Sequence, residues 1–256
     1  MSTQDVSLIV SHCKKVIDFS VLNLSDSYYY HSLPLCVLDA VFSIGVRYEG
    51  VENVVARYAA FAKIQRFRGR SQAFPPQSSQ HRISDFCELY RSSGEELMTN
   101  KVFNRQRTST KNGILKSAAS YRFALALQSL NIETYQDLES FASVEVGLEE
   151  LRSKVIQIPG QKSGISFSYF LMLSGDDQSI KPDRRVLKFI SDAVGREINS
   201  PSVATRLMLA ATNCLKEDIP DLTPRLLDHK VWLYQRTLQR DRTGRSGHPS
   251  GTRDQS

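Results

Sequence analysis

The chain has 256 residues, of which 41% are hydrophobic and 23% charged, and its formal net charge at pH 7 is +6. This balance is that of a soluble globular protein with room for one large domain or two small ones, and its positive charge permits an anionic partner. No apolar run approaches the length of a membrane span and the amino terminus lacks the apolar core of a signal peptide, so we expect a cytoplasmic protein, in the nucleoid if prokaryotic, without a membrane partner.

Helical periodicity dominates the first half of the chain. Apolar residues on one face predict a first helix over 6–17, Pro34 opens a second helix at its first turn, and helical spacing resumes over 51–67. Two further helices are predicted over 83–97 and 114–130. The segments RGRSQAFPPQSSQ and NRQRTSTKNG, which precede them, are polar and basic and are predicted to be loops.

The second half continues as helices. Asn131 and Thr134 predict a helix cap, and two short helices then carry the chain to Ile158. A short apolar helix, ISFSYFLMLSG, ends at Gly175. Three more helices, each starting near an Asp, Ser or Thr suited to an N-cap, are predicted over 186–194, 203–215 and 226–238. No alternating strand pattern and no repeat occurs, so the predicted fold class is all-α with ten or so helices.

Positive charge is concentrated in the middle of the chain. Between Lys63 and Arg122 there are twelve Lys or Arg residues and four Asp or Glu residues. Such a run is compatible with a solvated helical face. Because several of these cations lie in polar loops, the distribution also indicates a surface for a polyanion such as nucleic acid.

The four cysteines are widely and irregularly spaced, and no CxxC pair occurs. This spacing excludes a local zinc ribbon or a clustered iron–sulfur motif, and no metal site is predicted. The residues expected to be reduced and mostly buried thiols are Cys13, Cys36, Cys87 and Cys214.

The stretch IPGQKSGIS, residues 158–166, is a glycine-rich turn between apolar segments. Its glycine spacing and helical context fit neither a Walker loop nor a dinucleotide-binding fingerprint. Pro159 can stop the incoming helix and Gly160 can adopt a backbone shape that other residues resist. The free N–H groups near residues 161–165 can then bind one backbone phosphate, with Lys162 adding an ionic contact. The alternative is a plain connector between two helices.

The region around this turn resembles the helix-hairpin-helix motif of the DNA glycosylase superfamily known as HhH-GPD. The tripeptide IPG is followed by the apolar helix ISFSYFLML and then by IKPDRRVLKFI, which places Asp183 23 residues after Gly160. LPLCVLDAVFSIGVRY resembles the early helix of that family, and ILKSAASYRFALAL resembles the helix that opens its second half. The resemblance covers about residues 33–195 and implies a two-lobed helical fold with a cleft between the lobes.

The predicted domain organisation follows from this resemblance. Residues 1–112 form amino-terminal helices and basic loops that pack with the carboxy-terminal helices 196–240. Residues 113–195 form a central lobe with the helix-hairpin-helix, at about 146–174, and Asp183. The tail 241–256 has no apolar anchor and is predicted to be disordered.

The resemblance also implies a site. Asp183 is at the position of the catalytic aspartate, which stabilises the oxocarbenium-like state and activates water. An aspartate before a helix is also a good N-cap, and the two roles are compatible. Gly164 occupies the position of the nucleophilic lysine of bifunctional members, so the chemistry is predicted to be monofunctional. No cofactor is implied, except for a monovalent cation at the hairpin. The hairpin residues predicted to contact double-stranded DNA are Gly160, Gln161, Lys162, Ser163 and Gly164.

Four further groups of residues are candidates for contacts with DNA or with the base. Arg184 can contact a phosphate or lie on a solvated helix face. Arg47 and Tyr48 are candidates to fill the space that a flipped base vacates. One candidate lining of the base pocket is formed by Tyr29, Tyr30 and His31, and the alternative for these residues is a half-buried packing surface. A second candidate lining is formed by His229 and Trp232, and the alternative for them is a buried aromatic pair.

Three functions remain open from the sequence. The leading prediction is a monomeric, monofunctional DNA glycosylase that acts on a damaged or modified base. The second is a helix-hairpin-helix DNA-binding protein without catalysis. The third is a helical protein unrelated to nucleic acid, in which the basic loops are incidental.

Overall fold

The computed structural model describes residues 2–46, 48–69, 73–144 and 146–245. The chain divides into two compact units. The central unit comprises Asn23–Lys181, and the terminal unit comprises residues 1–22 together with residues 182–256. None of the helices in the described ranges is long and apolar enough to cross a membrane.

The described residues form α-helices joined by turns, and their only β-type pairings are two isolated bridges. The helices of the terminal unit are α1 (Thr3–Val16), α10 (Arg184–Val194), α11 (Pro201–Leu215) and α12 (Pro224–Arg245). The helices of the central unit are α2 (Leu33–Phe42), α3 (Tyr48–Ala62), α4 (Ile83–Ser93), α5 (Glu95–Leu97), α6 (Lys116–Gln128), α7 (Tyr135–Ala142), α8 (Gly147–Ile156) and α9 (Ile165–Leu173). The all-α prediction is confirmed.

Helix α2 is the core of the central unit. All ten of its residues are buried, because α3, α6 and α9 surround it. Pro34 lies in its first turn, where the missing N–H has no helical partner to lose. Every residue of α2 is apolar except Asp39, so the helix has no polar face and can only be stable inside the unit. This arrangement brings one carboxyl group into the middle of the core.

The terminal unit joins the first helix of the chain to its last three. Helix α1 packs on α10 and α11, and α12 packs on α10. The ring of Phe189 lies 4.9 Å from that of His12 and 5.9 Å from that of Tyr234, centroid to centroid. These aromatic contacts join α1, α10 and α12 around one small core.

The predicted N-caps are confirmed. Thr134 caps α7 in a capping box with Asp137, Ser200 caps α11, and the backbone N–H of Leu226 in α12 donates to Thr223 Oγ1. Each hydroxyl satisfies an N–H group that the first helical turn leaves without a partner.

Two predicted boundaries are corrected. Helix α3 ends at Ala62 rather than at residue 67, because Lys63 adopts a left-handed conformation (φ 55°) that turns the chain. Phe67 then forms a bridge with Tyr30. At the carboxy terminus α12 continues to Arg245, so residues 241–245 of the predicted disordered tail are helical. A formed helix adds one hydrogen bond for each residue it gains, and this favours continuation beyond the last apolar residue. The rest of the predicted tail lies outside the described residues.

The division into units also differs from the predicted one. The predicted central lobe, 113–195, included all of α10, whereas the structure places α10 in one unit with α1, α11 and α12. Residues 23–112, which were predicted to pack with 196–240, belong to the same unit as α6–α9. The reason is the burial of α2, which ties the early helices to α6 and α9.

Candidate functional site

The glycine turn, residues 157–164, joins α8 to α9. Gly160 (φ 84°) and Gly164 (φ 72°) both lie in the left-handed region, where a side chain would be strained. Two hydrogen bonds close the turn: the N–H of Gln161 donates to Ile158 O and the N–H of Gly164 donates to Gln161 O, each at 2.9 Å. The two glycines are therefore required by the backbone of the turn itself.

Part of the predicted set of free N–H groups is available at this turn. The N–H groups of Gln161 and Gly164 are used within the turn, and that of Ile165 donates to Ser163 Oγ at 3.4 Å. Lys162 and Ser163 are exposed, and their N–H groups donate to no other described residue. Two adjacent backbone donors and one lysine side chain can thus reach an anion from solvent.

Gln161, predicted as one of the DNA contacts of the hairpin, has a buried side chain. Only 2% of Gln161 is exposed, and its Oε1 accepts a hydrogen bond from Ser166 Oγ in α9. Its Nε2 atom is buried and has no hydrogen-bond partner in the part of the chain that the structure describes. The side chain of Gln161 therefore fills the inside of the turn.

The glycine turn packs against the basic loop 104–115. A Cβ atom at Gly160 would lie 2.3 Å from Thr108 Oγ1, so only glycine permits this approach. Thr108 holds the loop closed, because its N–H donates to Ile114 O (2.9 Å) and its Oγ1 accepts from Ile114 N (3.2 Å). The basic residues of this loop are Arg105, Arg107 and Lys111.

Asp183 is the N-cap of α10. Its Oδ1 atom accepts hydrogen bonds from the N–H groups of Arg185 (2.8 Å) and Val186 (3.3 Å). Its Oδ2 atom accepts no hydrogen bond from the described residues, and the side chain is half-buried. The predicted capping role is thus observed, and it uses one of the two carboxylate oxygens.

The end of α10 that Asp183 caps also contacts α12. Arg184 is exposed, and the guanidinium of Arg185 lies 5.4 Å from the ring centroid of Trp232. The rings of His229 and Trp232 stack at 6.0 Å with an interplanar angle of 16°. Burial lowers the pKa of His229 to about 4, helped by the nearby charges of Lys230 and Arg225. His229 is therefore a neutral imidazole in a cationic, aromatic setting.

Two predicted residues at the end of α2 have different outcomes. Arg47 lies outside the described residues. Tyr48 is the first residue of α3, and its ring lies nearly parallel to that of Tyr28, with centroids 6.5 Å apart. Its hydroxyl donates to Asp39 Oδ2 at 3.5 Å. Tyr48 is thus half-buried and directed at a carboxyl group in the core, which does not suit a side chain that must fill a gap in DNA.

The predicted tyrosine pocket is split by the structure. Tyr30 is buried, and its hydroxyl donates to Asp39 Oδ2 at 2.9 Å. Tyr29 lies 5.3 Å from the guanidinium of Arg68, measured to the ring centroid. Burial lowers the pKa of His31, and the charge of Arg68 adds to the effect. Tyr30 and Tyr48 are therefore hydrogen-bonded to Asp39. Tyr29 and His31 instead lie near the charge of Arg68.

A family model described as a domain of unknown function, DUF8548, matches residues 7–236. The chain belongs to the DUF8548 family. No curated protein and no solved structure matches it. For this DUF8548 chain the resemblance to DNA glycosylases stays a prediction.

Sequence reasoning missed the buried polar cluster around Asp39 in the DUF8548 domain. Lys181 Nζ donates to Ser43 Oγ at 3.0 Å and lies 3.6 Å from the ring centroid of Tyr169. Burial raises the pKa of Asp39 to about 6, while the charge of Lys181 opposes that rise. The available signal was a single carboxylate within ten otherwise apolar helical residues.

A second buried cation lies close to this cluster. Lys116 is 1% exposed, and its Nζ donates to Phe42 O (2.8 Å) and Ile44 O (2.7 Å) at the end of α2. Burial lowers its pKa to about 8, and the charge of Lys181 adds to the effect. The lysine satisfies carbonyl groups that the last turn of α2 leaves without partners, which is a structural role.

Among the described residues no three His, Cys, Asp or Glu side chains come together as metal ligands. The predicted monovalent cation at the hairpin stays a prediction. Cys13, Cys36 and Cys87 are buried free thiols and Cys214 is exposed, so the prediction of mostly buried thiols is confirmed.

Proposed function

We propose that this DUF8548 chain is a monofunctional DNA glycosylase that hydrolyses the N-glycosidic bond of a modified base flipped out of double-stranded DNA. The observation that carries the proposal is that the two oxygens of the Asp183 carboxylate have different hydrogen-bond surroundings. Oδ1 is fixed by two N–H groups of α10, and Oδ2 accepts nothing from the described residues. A carboxylate held in one orientation with one oxygen available suits a catalytic group.

The chemistry assigned to Asp183 follows from the bond that breaks. Cleavage of an N-glycosidic bond puts positive charge on the sugar, and a nearby carboxylate stabilises that charge. The same carboxylate can accept a proton from the water that attacks the sugar. Because Gly164 takes the place of a lysine in the turn, water rather than an amine is the nucleophile in this proposal.

DNA binding is assigned to the glycine turn together with the basic loop 104–115. The N–H groups of the exposed residues Lys162 and Ser163 and the ammonium group of Lys162 are the proposed partners of one phosphate. The cations of the loop, which packs on the turn at Gly160, extend the positive surface. The proposed partner is accordingly double-stranded DNA. The proposed location is the cytoplasm, or the nucleoid of a prokaryote, and the protein is proposed to act as a monomer.

The test is a base-release assay on duplexes that each contain one modified base, with the wild type and Asp183→Asn. Asparagine is as good an N-cap as aspartate, so the variant keeps the fold and loses the carboxylate. We expect release to fall at least about 10³-fold, with affinity for the duplex unchanged. Asp192→Asn, a matched change on the exposed face of α10, should release base at the wild-type rate. Equal release by Asp183→Asn and wild type contradicts the proposed mechanism.

The second candidate is a DNA-binding protein without catalysis. It is favoured by the two hydrogen bonds of Asp183 Oδ1, which give the residue a sufficient structural role. This candidate predicts duplex binding that depends on Lys162, with no base released from any duplex in the same assay.

A further inference from the structure

Asp39 has an incomplete set of hydrogen bonds. The residue is 0% exposed, and both of its donors, the hydroxyls of Tyr30 (2.9 Å) and Tyr48 (3.5 Å), reach the Oδ2 atom. Oδ1 is buried and has no hydrogen-bond partner among the described residues. A buried carboxylate oxygen without a donor destabilises a fold, so a ligand that donates a hydrogen bond to Oδ1 would satisfy an acceptor that the described residues leave open.

The neighbouring elements surround Asp39 with groups of both signs. Lys181, which follows α9, is positively charged and lowers the pKa of Asp39, whereas Glu52 of α3 raises it. Lys181 is held in place by Ser43 and by the Tyr169 ring. The remaining titratable groups that act on this cluster are Tyr28, Tyr30, Tyr48, Tyr169, Cys36 and, beside Lys181, Lys116. A hydrogen-bond acceptor and a cationic donor are thus present in one part of the central unit.

Aromatic side chains link this cluster to the surface. Tyr28 and Tyr48 are half-buried and their rings are nearly parallel, at 11°. Tyr48 makes the longer of the two hydrogen bonds to Asp39, and this bond is the easier one to break. A planar ring that displaces the Tyr48 hydroxyl can therefore reach Asp39 while stacking on tyrosine.

We propose that Asp39, together with Lys181, is a recognition site for a nucleobase within the central unit. The Oδ1 atom of Asp39 accepts the ring N–H of a lactam edge, and Lys181 donates to the carbonyl oxygen beside that N–H. The chemical class is a uracil-, hypoxanthine- or guanine-type base, because cytosine- and adenine-type edges present a ring acceptor where the lactam presents a donor. This assignment rests on the proposed function, and it names the substrate class of that activity.

The first experiment measures binding without catalysis. We titrate the full chain with 1-methyluracil and 1-methylcytosine, and with 9-methylhypoxanthine and 9-methyladenine, by calorimetry or ligand-observed NMR. Within each pair only the hydrogen-bonding edge differs. The proposal expects the lactam member of at least one pair to bind about 10-fold or more tightly than its partner. Equal affinities within both pairs, or no binding of any of the four compounds, overturn it.

Two variants attribute the preference to the assigned residues. Asp39→Asn keeps the size of the side chain and can present an N–H at the position of Oδ1, so the preference for the lactam member should disappear. Lys181→Met keeps the length of the chain, removes the donor and should reduce the same preference. Asp26→Asn, an identical change at an exposed position of the same unit, should leave it intact. A preference that survives both Asp39→Asn and Lys181→Met overturns the assignment.

The base-release assay separates this inference from the proposed function. In one outcome, base release requires Asp183, is equally fast in wild type and Asp39→Asn, and shows no preference for a lactam edge. This outcome contradicts the inference and agrees with the glycosylase assignment. A lactam preference in binding that Asp39→Asn removes, with no release from any duplex, supports the inference and contradicts the glycosylase assignment.

Discussion

The hydroxyl of Tyr30 donates a 2.9 Å hydrogen bond to Oδ2 of Asp39 inside the core of the central unit. This bond orients the carboxyl group, whose other oxygen accepts no hydrogen bond from the described ranges of the chain. A carboxyl group in this position is more stable as a neutral acid than as an anion, because burial removes the water that would solvate the charge. Its ionisation is therefore coupled to the stability of the unit.

The stability of the chain should depend on pH through Asp39. The pKa of Asp39 is raised to about 6 in the folded protein from 3.8, so its contribution to stability is complete below pH 3.8 and is lost as pH rises through 6. The loss is up to about 3 kcal/mol. It is measured as the difference in free energy of unfolding between wild type and Asp39→Asn, by urea denaturation from pH 3.5 to 7.5.

The difference curve should fall between pH 4 and 6 and be flat above pH 7. Other titrating groups cancel in it, since both proteins contain them. Asp26→Asn provides the matched control, and the difference between wild type and that variant should change little across the same range. A flat curve for Asp39→Asn would show that the carboxyl group titrates normally.

Asp183 should contribute to stability as a cap, separately from any catalytic role. Asp183→Ala removes the acceptor for two N–H groups of α10, and we expect a loss of about 1 kcal/mol in the free energy of unfolding. Asp183→Asn should lose no more than a few tenths, since asparagine caps equally well. Urea denaturation of the two variants measures the difference. Equal losses would mean that the carboxylate does not act as the cap.

The helices and their N-caps were predictable because both depend on residues that are close together in the sequence. The periodicity of apolar residues and the Thr134 and Ser200 hydroxyls act within one turn of a helix, and the structure agrees with both. The ending of α3 at Ala62 was not predictable, because residues 63–67 keep a helical pattern and the turn at Lys63 is fixed by the pairing of Phe67 with Tyr30.

The candidate site was only partly predictable for a related reason. Asp183 and the two glycines of the turn stand out locally, by their spacing and by the backbone that each requires. Asp39 lies in one helix, and its partners come from three other segments, so its cluster exists only after folding. The burial of the Gln161 side chain was not predictable, because an exposed turn and a side chain buried within it have the same sequence pattern.

The two glycines of the turn should differ in their tolerance of alanine. Gly160→Ala meets both a positive φ and a clash with Thr108, and we expect it to destabilise the chain by about 2–4 kcal/mol. Gly164→Ala meets only the positive φ, since its nearest neighbour is the Arg152 guanidinium at 3.7 Å, and should cost about 1 kcal/mol. Chemical denaturation measures both.

A third glycine supplies the control for this pair. Gly50 lies in α3 with an ordinary φ and nothing within 4 Å of its Cβ position, so Gly50→Ala should stabilise the chain by about 0.5–1 kcal/mol. Equal losses for Gly160→Ala and Gly164→Ala would contradict the contact between the turn and the basic loop.

Lys162 should contribute to the salt dependence of DNA binding. A lysine that neutralises one phosphate releases about one counterion, so Lys162→Ala should reduce the slope of log K against log salt concentration by about 0.9. Fluorescence anisotropy with a labelled duplex, from 50 to 300 mM salt, measures the slope. Lys15→Ala, a change at an exposed lysine of α1 in the terminal unit, removes the same charge and should change the slope less. Equal slopes for wild type and Lys162→Ala would leave the turn without its proposed phosphate.

His229 should remain neutral well below the usual pH of histidine titration. Burial is the main cause of its low pKa of about 4, and the charges of Lys230 and Arg225 act in the same direction. Its contribution to stability is therefore complete above pH 6.5 and is lost as pH falls towards 4, by up to about 3 kcal/mol. The ring proton shifts in an NMR titration, assigned with His229→Gln, should show a midpoint near 4, and the difference in free energy of unfolding between the two proteins should fall over the same range. A midpoint near 6.5 would instead mean that the ring is solvated, and that its stacking on Trp232 does not exclude water from the imidazole.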